Sequence, residues 1–300
     1  MESESEPSYS RDAAVAAITK YLKFVDRMWN YDPDDPDKGD SLEKPPDGGW
    51  PEITLDLGEP LKLSHEAVEL IRRIPFSRDV VMPESRCFPH REWFRSARQT
   101  LDQNGIVEYM YPEWPELDPK YPPHIFPLFE NEGRYGHSLL IDTKRGVAIW
   151  HVFDGRPHPE GAPWGDARCE DEDGEDVYGA AGWRTAATYR IETFFSMAEE
   201  QLKACNWLPL MEQCGNGIRE LRVYGEPDES EHEHERIAIL REAGWPGDKW
   251  DPVAAHTKTN ELVEKMEAEL EALRFGQAQR REEATAQEVG EGVSKLHVEP

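Results

Sequence analysis

The densest group of side chains able to hold a metal is Glu231-His232-Glu233-His234-Glu235, where imidazole and carboxylate would suit zinc or another divalent ion. Ligands on one helix must share a face, and residues two apart do not. No H-E-x-x-H spacing is present, so this run reads as the solvated start of a helix. Cys87 and His90 could form a thiol and its base, but a nucleophilic thiolate also needs a group that lowers its pKa, and the neighbouring residues supply none. Gly215-Asn216-Gly217 begins like a phosphate loop, yet Glu220 stands where the third glycine of G-x-G-x-x-G belongs and would oppose a pyrophosphate. Asn-Gly at this place reads as a turn. Glu130, Glu132 and Asp142 could furnish the paired carboxylates of a hydrolase or a small-molecule-binding enzyme, in which neighbours push two pKa values apart. They are three among 61 acidic residues, and no catalytic residue, cofactor or metal is assigned from the sequence.

The chemistry of contact is more prominent than the chemistry of reaction. The formal net charge is −27, from 61 acidic and 34 basic residues. Such a surface repels phosphate backbones, because nucleic-acid affinity comes from Lys and Arg displacing counterions, and it disfavours anionic membranes for the same reason. It admits a basic protein partner. Two places fit that role: the acidic run Glu170-Asp171-Glu172-Asp173, which could speed association by long-range attraction, and a narrow apolar stripe of Val263, Met266, Leu270 and Leu273 near the C-terminus. Narrow stripes meet one helix or groove, whereas broad ones enter cores. The four cysteines are widely spaced without a C-x-x-C pair, the first seven residues are acidic rather than leader-like, and no stretch approaches eighteen apolar residues. Together these point to a cytoplasmic or nuclear protein with reduced thiols.

The elements that must position these groups follow from periodicity. Val15, Ile18, Leu22, Val25 and Trp29 recur at spacings of three and four, which predicts an amphipathic helix capped by Ser10. A second helix is expected from Ser64, carrying Val68, Ile71 and Ile74, and a short strand at Val80-Val81-Met82. Residues 93–101 suggest a short helix. A third helix is expected over 189–204, a strand over 218–224, a fourth helix carrying Ile237, Ile239 and Leu240, and a last one over 259–274. The irregularly spaced Trp-Pro pairs at Trp50, Trp114 and Trp245 read as loop anchors.

The clearest element is a β-hairpin, with apolar β-branched runs at 137–141 and 147–153 flanking Asp142-Thr143-Lys144-Arg145-Gly146. Asp at the start of such a loop bonds its own backbone, and Gly near the end supplies positive φ. In the second run both faces are apolar, as in a strand central to a covered sheet.

Phe126-Pro127-Leu128-Phe129, Gly133-Arg134-Tyr135-Gly136, Leu139-Leu140-Ile141-Asp142-Thr143, Gly146-Val147-Ala148-Ile149, Trp183 and Tyr189-Arg190-Ile191-Glu192-Thr193-Phe194-Phe195 occur in that order. With Trp50-Pro51-Glu52-Ile53-Thr54 and Gly244-Trp245-Pro246-Gly247, the pattern resembles the SUKH superfamily, in particular its fungal members, over residues 50–250. The resemblance implies an α+β fold with a mostly antiparallel sheet covered by helices. It also implies a protein-binding role, as in bacterial immunity proteins that neutralise toxins and a fungal branch that regulates cell-wall assembly. It brings no catalytic residues. The acidic insertion at 154–182 and the charged C-terminal helix depart from it.

The sequence therefore predicts a disordered tail over 1–9, one α+β domain over 10–250 built around the 137–153 hairpin, a charged helix over 251–274 and a disordered tail over 275–300. The expected function is a non-enzymatic, regulatory protein-interaction module, with the carboxylate enzyme as its alternative.

Overall fold

The computed structural model describes residues 8–29, 42–58, 61–77, 85–87, 94, 99, 122–131, 137–152, 167–168, 186–212, 215–220 and 231–296. The expected N-terminal tail up to residue 7, the strand at 80–82, the 93–101 helix apart from Phe94 and Gln99, and Trp114 lie outside the described residues. So does the 154–182 insertion, apart from a two-residue strand.

The fold is α+β. A six-stranded antiparallel sheet has the order β3-β4-β5-β6-β8-β7, where β3 is Ser85–Cys87, β4 Ile125–Asn131, β5 His137–Asp142, β6 Val147–Val152, β7 Ala167–Arg168 and β8 Ala187–Arg190. The hairpin lies at its centre, with His137 opposite Val152 and Asp142 opposite Val147. Its turn closes as the residue types dictate. Asp142 Oδ1 accepts the backbone N–H groups of Lys144 and Arg145 at 2.8 and 3.0 Å, and Gly146 takes φ 72°.

Alternation divides the hairpin between two apolar layers. Leu139, Ile141, Ala148 and Trp150 join the main core. Leu140, Val147 and Ile149 pack with Ile125 on the opposite face. In β4 a bulge falls between Pro127 and Phe129, and both Leu128 and Phe129 enter the main core. Proline cannot donate to the ladder, and a bulge is where an interior strand tolerates it.

Two helices cover the main face. α1 (Arg11–Trp29) starts at Ser10, whose Oγ accepts the Ala13 N–H at 3.4 Å; it buries Ala14, Ile18, Tyr21, Leu22, Val25 and Met28. α3 (Ile191–Ala204) buries Phe194, Phe195, Ala198 and Leu202. Tyr189, expected in this helix, belongs instead to β8, so the helix begins two residues later. Offset and edge-on ring contacts join the layers: Trp150 meets Phe194 at 5.9 Å and Trp207 at 5.7 Å, and Tyr21 meets Phe195 at 5.3 Å. α2 (His65–Ile71) is capped by Ser64, which accepts the Ala67 N–H at 3.2 Å. β1 (Leu42–Glu43) pairs with β2 (Phe76–Ser77) beside it.

Beyond α3 a second hairpin forms from β9 (Trp207–Glu212) and β10 (Gly215–Glu220). Gly215-Asn216-Gly217, read from sequence as a turn, is the first half of β10, paired with Glu212, Met211 and Leu210. The connection is only residues 213–214, and the expected strand begins three residues earlier than 218.

α4 (Glu231–Glu242) and α5 (Pro252–Leu296) complete the chain. α5 has 45 residues, where the apolar stripe suggested only 259–274 and a disordered tail thereafter. No proline interrupts 253–299, and Ala, Glu, Gln and Arg dominate its second half; those residues carry high helix propensity without any apolar period. Asp251 caps it, accepting the Ala254 N–H at 3.0 Å, and Pro252 fits the first helical position, where no N–H is needed. Among the described residues, no helix is long and apolar enough to cross a membrane.

Candidate functional site

α4 and α5 form an antiparallel pair fixed by ion pairs along its length. Lys258 Nζ lies 2.7 Å from Glu242, Lys265 Nζ 2.9 Å from Glu235, and His232 Nε2 3.4 Å from Glu269. Arg236, almost wholly buried, reaches Met266 Sδ at 4.0 Å. Ala255, Thr259 and Leu262 are buried, while Val263 and Met266 are half-buried. The first half of the predicted contact stripe thus meets a partner helix within the chain, and α5 also packs against β9. The side chains of Leu270 and Leu273 lie outside the described residues, as do Glu170, Asp171, Glu172 and Asp173.

Past Glu269, which faces the first turn of α4, the helix continues for about 27 residues, or about 40 Å at 1.5 Å per residue. Glu271, Ala272, Arg274, Phe275, Gln277, Gln279 and Arg280 are all exposed. Phe275 is 65% exposed, the highest value among the large apolar side chains described.

The loop joining the two helices is tied to the core by tryptophans. Trp245 donates its indole N–H to Leu202 O at 2.9 Å, and Trp250 donates to Arg27 O at 3.0 Å. Trp245 also lies 5.2 Å from Phe24 and 5.1 Å from Trp250. Trp50 donates to Ile74 O at 2.9 Å. Both described Trp-Pro pairs are therefore the anchors their sequence suggested.

The carboxylates considered for catalysis do not converge. Asp142 is 2% exposed and occupied by the hairpin turn, with His124 Nε2 4.0 Å away. Glu130 lies in β4 opposite Arg86, its side chain outside the described residues, and so is Glu132. His232 faces α5 whereas His234 is exposed, as the spacing of two required. Among the described residues no group of three or more His, Cys, Asp or Glu is arranged to hold a metal ion. The Cys87 side chain, His90, Cys169 and Cys214 are outside the described residues. Cys205 is buried at the end of α3, and burial raises its thiol pKa above the ordinary value.

One groove had no sequence signal. It lies between one face of α1 and the turn at 45–49, is lined also by Arg73, and has a volume of about 690 Å³. Asp12, Val15, Ala16, Thr19, Lys20 and Lys23 line it from the helix, at the three-and-four spacing of a single stripe. Gly48 and Gly49 bring the turn close, with φ 90° and 92°. A Cβ on Gly49 would stand 2.7 Å from Arg72 O, so only glycine fits there. Beneath the turn, buried Glu69 accepts from Arg73 at 3.0 and 3.1 Å and from Arg72 at 3.4 Å, with Arg11 at 3.5 Å. Burial alone would raise the Glu69 carboxyl, but the guanidinium contacts outweigh it and hold the pKa below the ordinary carboxylate value.

No family model, curated protein or solved structure matches the chain.

Proposed function

We propose that the protein is a non-enzymatic interaction module whose docking element is the outer part of α5. The observation that carries this reading is the set of exposed side chains described between Glu271 and Arg280, Phe275 among them, on a helix that continues past the first turn of α4. A helix face left in water is weakly stabilised by its own sequence, and most helical stability in proteins comes from packing against something else. An exposed Phe between charged residues suits a groove on a partner protein. The net charge of −27 favours a basic partner, and the acidic run 170–173 is a second contact on the same electrostatic grounds. The use of Asp142 in the hairpin turn speaks against the carboxylate hydrolase.

The resemblance to the SUKH superfamily points the same way, towards regulation by protein binding, and the α+β sheet around a central hairpin is compatible with it. This reading carries with it the cytoplasmic or nuclear setting expected from the widely spaced cysteines.

The test is quantitative affinity capture with the full chain, a chain ending at Glu269, and Phe275→Glu. Specific partners should be retained by the full chain and lost from the other two, while the melting temperatures agree. Equal recovery with all three forms overturns the reading.

A further inference from the structure

We propose that the groove between α1 and residues 45–49 binds an extended acidic peptide segment of a partner protein. Three cations from two separate elements, Lys20 and Lys23 on α1 and Arg73 beyond α2, line one hollow in a chain whose formal charge is −27. With Asp12 and Asp47 the lining still carries one positive charge more than negative, and such a local excess on an acidic molecule attracts anionic groups and gives a contact its specificity.

Each cation is placed in a different way. Arg73 is fixed by its two hydrogen bonds to Glu69, and that carboxylate is shared with Arg72 and Arg11, so guanidinium charge exceeds carboxylate charge there. Lys20 lies 2.8 Å from Glu199, yet its side chain is 69% exposed and an ammonium has further N–H donors. Lys23 is exposed one turn further along.

The acidic groups facing the groove are Asp12 and Asp47. Asp12 pairs with Arg11 at 3.1 Å. Asp47 sits on the turn side, so it turns ligand carboxylates away from the turn and towards Lys20 and Lys23.

Size and surface select the ligand class. A volume of about 690 Å³ is far more than one inorganic anion fills and lies within the range of organic-ligand sites. From Asp12 to Lys23 the helix rises about 16 Å, the length of about five residues in extended conformation. Val15, Ala16, Pro45 and Pro46 supply apolar contact for the peptide backbone and aliphatic stems.

The experiment is selection of a random decapeptide library on the immobilised full chain, on Lys23→Glu and on the chain ending at Glu269. The full chain should enrich peptides with at least two Asp or Glu in a five-residue window. An enriched peptide should bind Lys23→Glu at least tenfold more weakly, with unchanged circular dichroism and melting temperature. Retention on the chain ending at Glu269 separates this site from docking by α5. Three results overturn the proposal: no acidic enrichment, equal binding to Lys23→Glu, or displacement of the peptide by a single-stranded DNA decamer at equal concentration.

Discussion

The indole N–H of Trp245 donates to the carbonyl of Leu202 across 2.9 Å of buried space, joining the loop before α5 to the last turn of α3. The ring also meets Phe24 of α1. Two helices, α1 and α3, thus share one side chain of the loop between α4 and α5. Trp245→Ala is expected to lower unfolding free energy by about 3–5 kcal/mol. Trp245→Phe removes one of two donors to that carbonyl, the other being the Cys205 N–H at 3.1 Å, and should lower it by only about 0.5–1.5 kcal/mol. Urea titration followed by circular dichroism distinguishes the two.

His151 lies in β6 on the side of Val147 and Ile149, and burial pushes its pKa down to about 4. The unfolded chain takes up this proton near pH 6.5, the folded one only near 4, so the unfolded state binds more protons between those values. Stability should therefore fall as pH drops from 6.5 towards 4, by on the order of 3 kcal/mol from this group. In His151→Leu the decline between pH 6.5 and 5 should be much shallower; an unchanged slope in denaturant midpoints would contradict the assignment.

Glu199, buried on α3, accepts Lys20 of α1 at 2.8 Å and Lys203 at 2.7 Å. Burial raises its carboxyl, but the two lysine contacts outweigh that and leave the pKa lowered. The pairing stabilises the fold above the ordinary carboxylate pKa and is lost as pH falls through the lowered folded value. Glu199→Ala should cost about 1–3 kcal/mol at neutral pH, with the difference from the parent vanishing at the acid end of the same titration.

The Cys205 thiol, 1% exposed with a raised pKa, should resist alkylation. In a chain carrying Cys87→Ser, Cys169→Ser and Cys214→Ser, iodoacetamide should label it only as fast as the protein opens, and at once in urea. Labelling at the rate of a free thiol under native conditions would show the end of α3 to be open.

Amide hydrogen exchange should divide α5 near Glu269. Residues 252–269, packed on α4, should exchange at least tenfold more slowly than 270–296 in the free protein. A uniform profile across that boundary would remove the reason for treating the outer part as a separate surface.

How much of this was legible depended on whether a local pattern decided the outcome. The hairpin announced itself because Asp142 and Gly146 are the residues its turn requires, and the run after them is apolar on both faces. Ser10 and Ser64 likewise marked the helices they cap. β4 was hidden because Pro127 argues against an interior strand unless a bulge accommodates it. β8 merged into the helix that follows without a break. In β10 the glycines of Gly215-Asn216-Gly217 outweighed any strand signal, and pairing with β9 decided the conformation. The outer half of α5 has propensity but no period. The groove could not be read at all, since it exists only where a turn at 45–49 meets a helix some 25 residues earlier in the chain.

The clamping of α5 at one end has a mechanical consequence. A helix held near its start by Trp245, Trp250, the ion pairs to α4 and packing on β9, and running about 40 Å past the first turn of α4, magnifies any rotation at its base. A tilt of about 5° there would sweep the far tip through about 3–4 Å. Anything grasping that tip gains leverage over the junction of α1, α3 and α4, and small repacking around Trp245 would be felt at the tip as a large displacement.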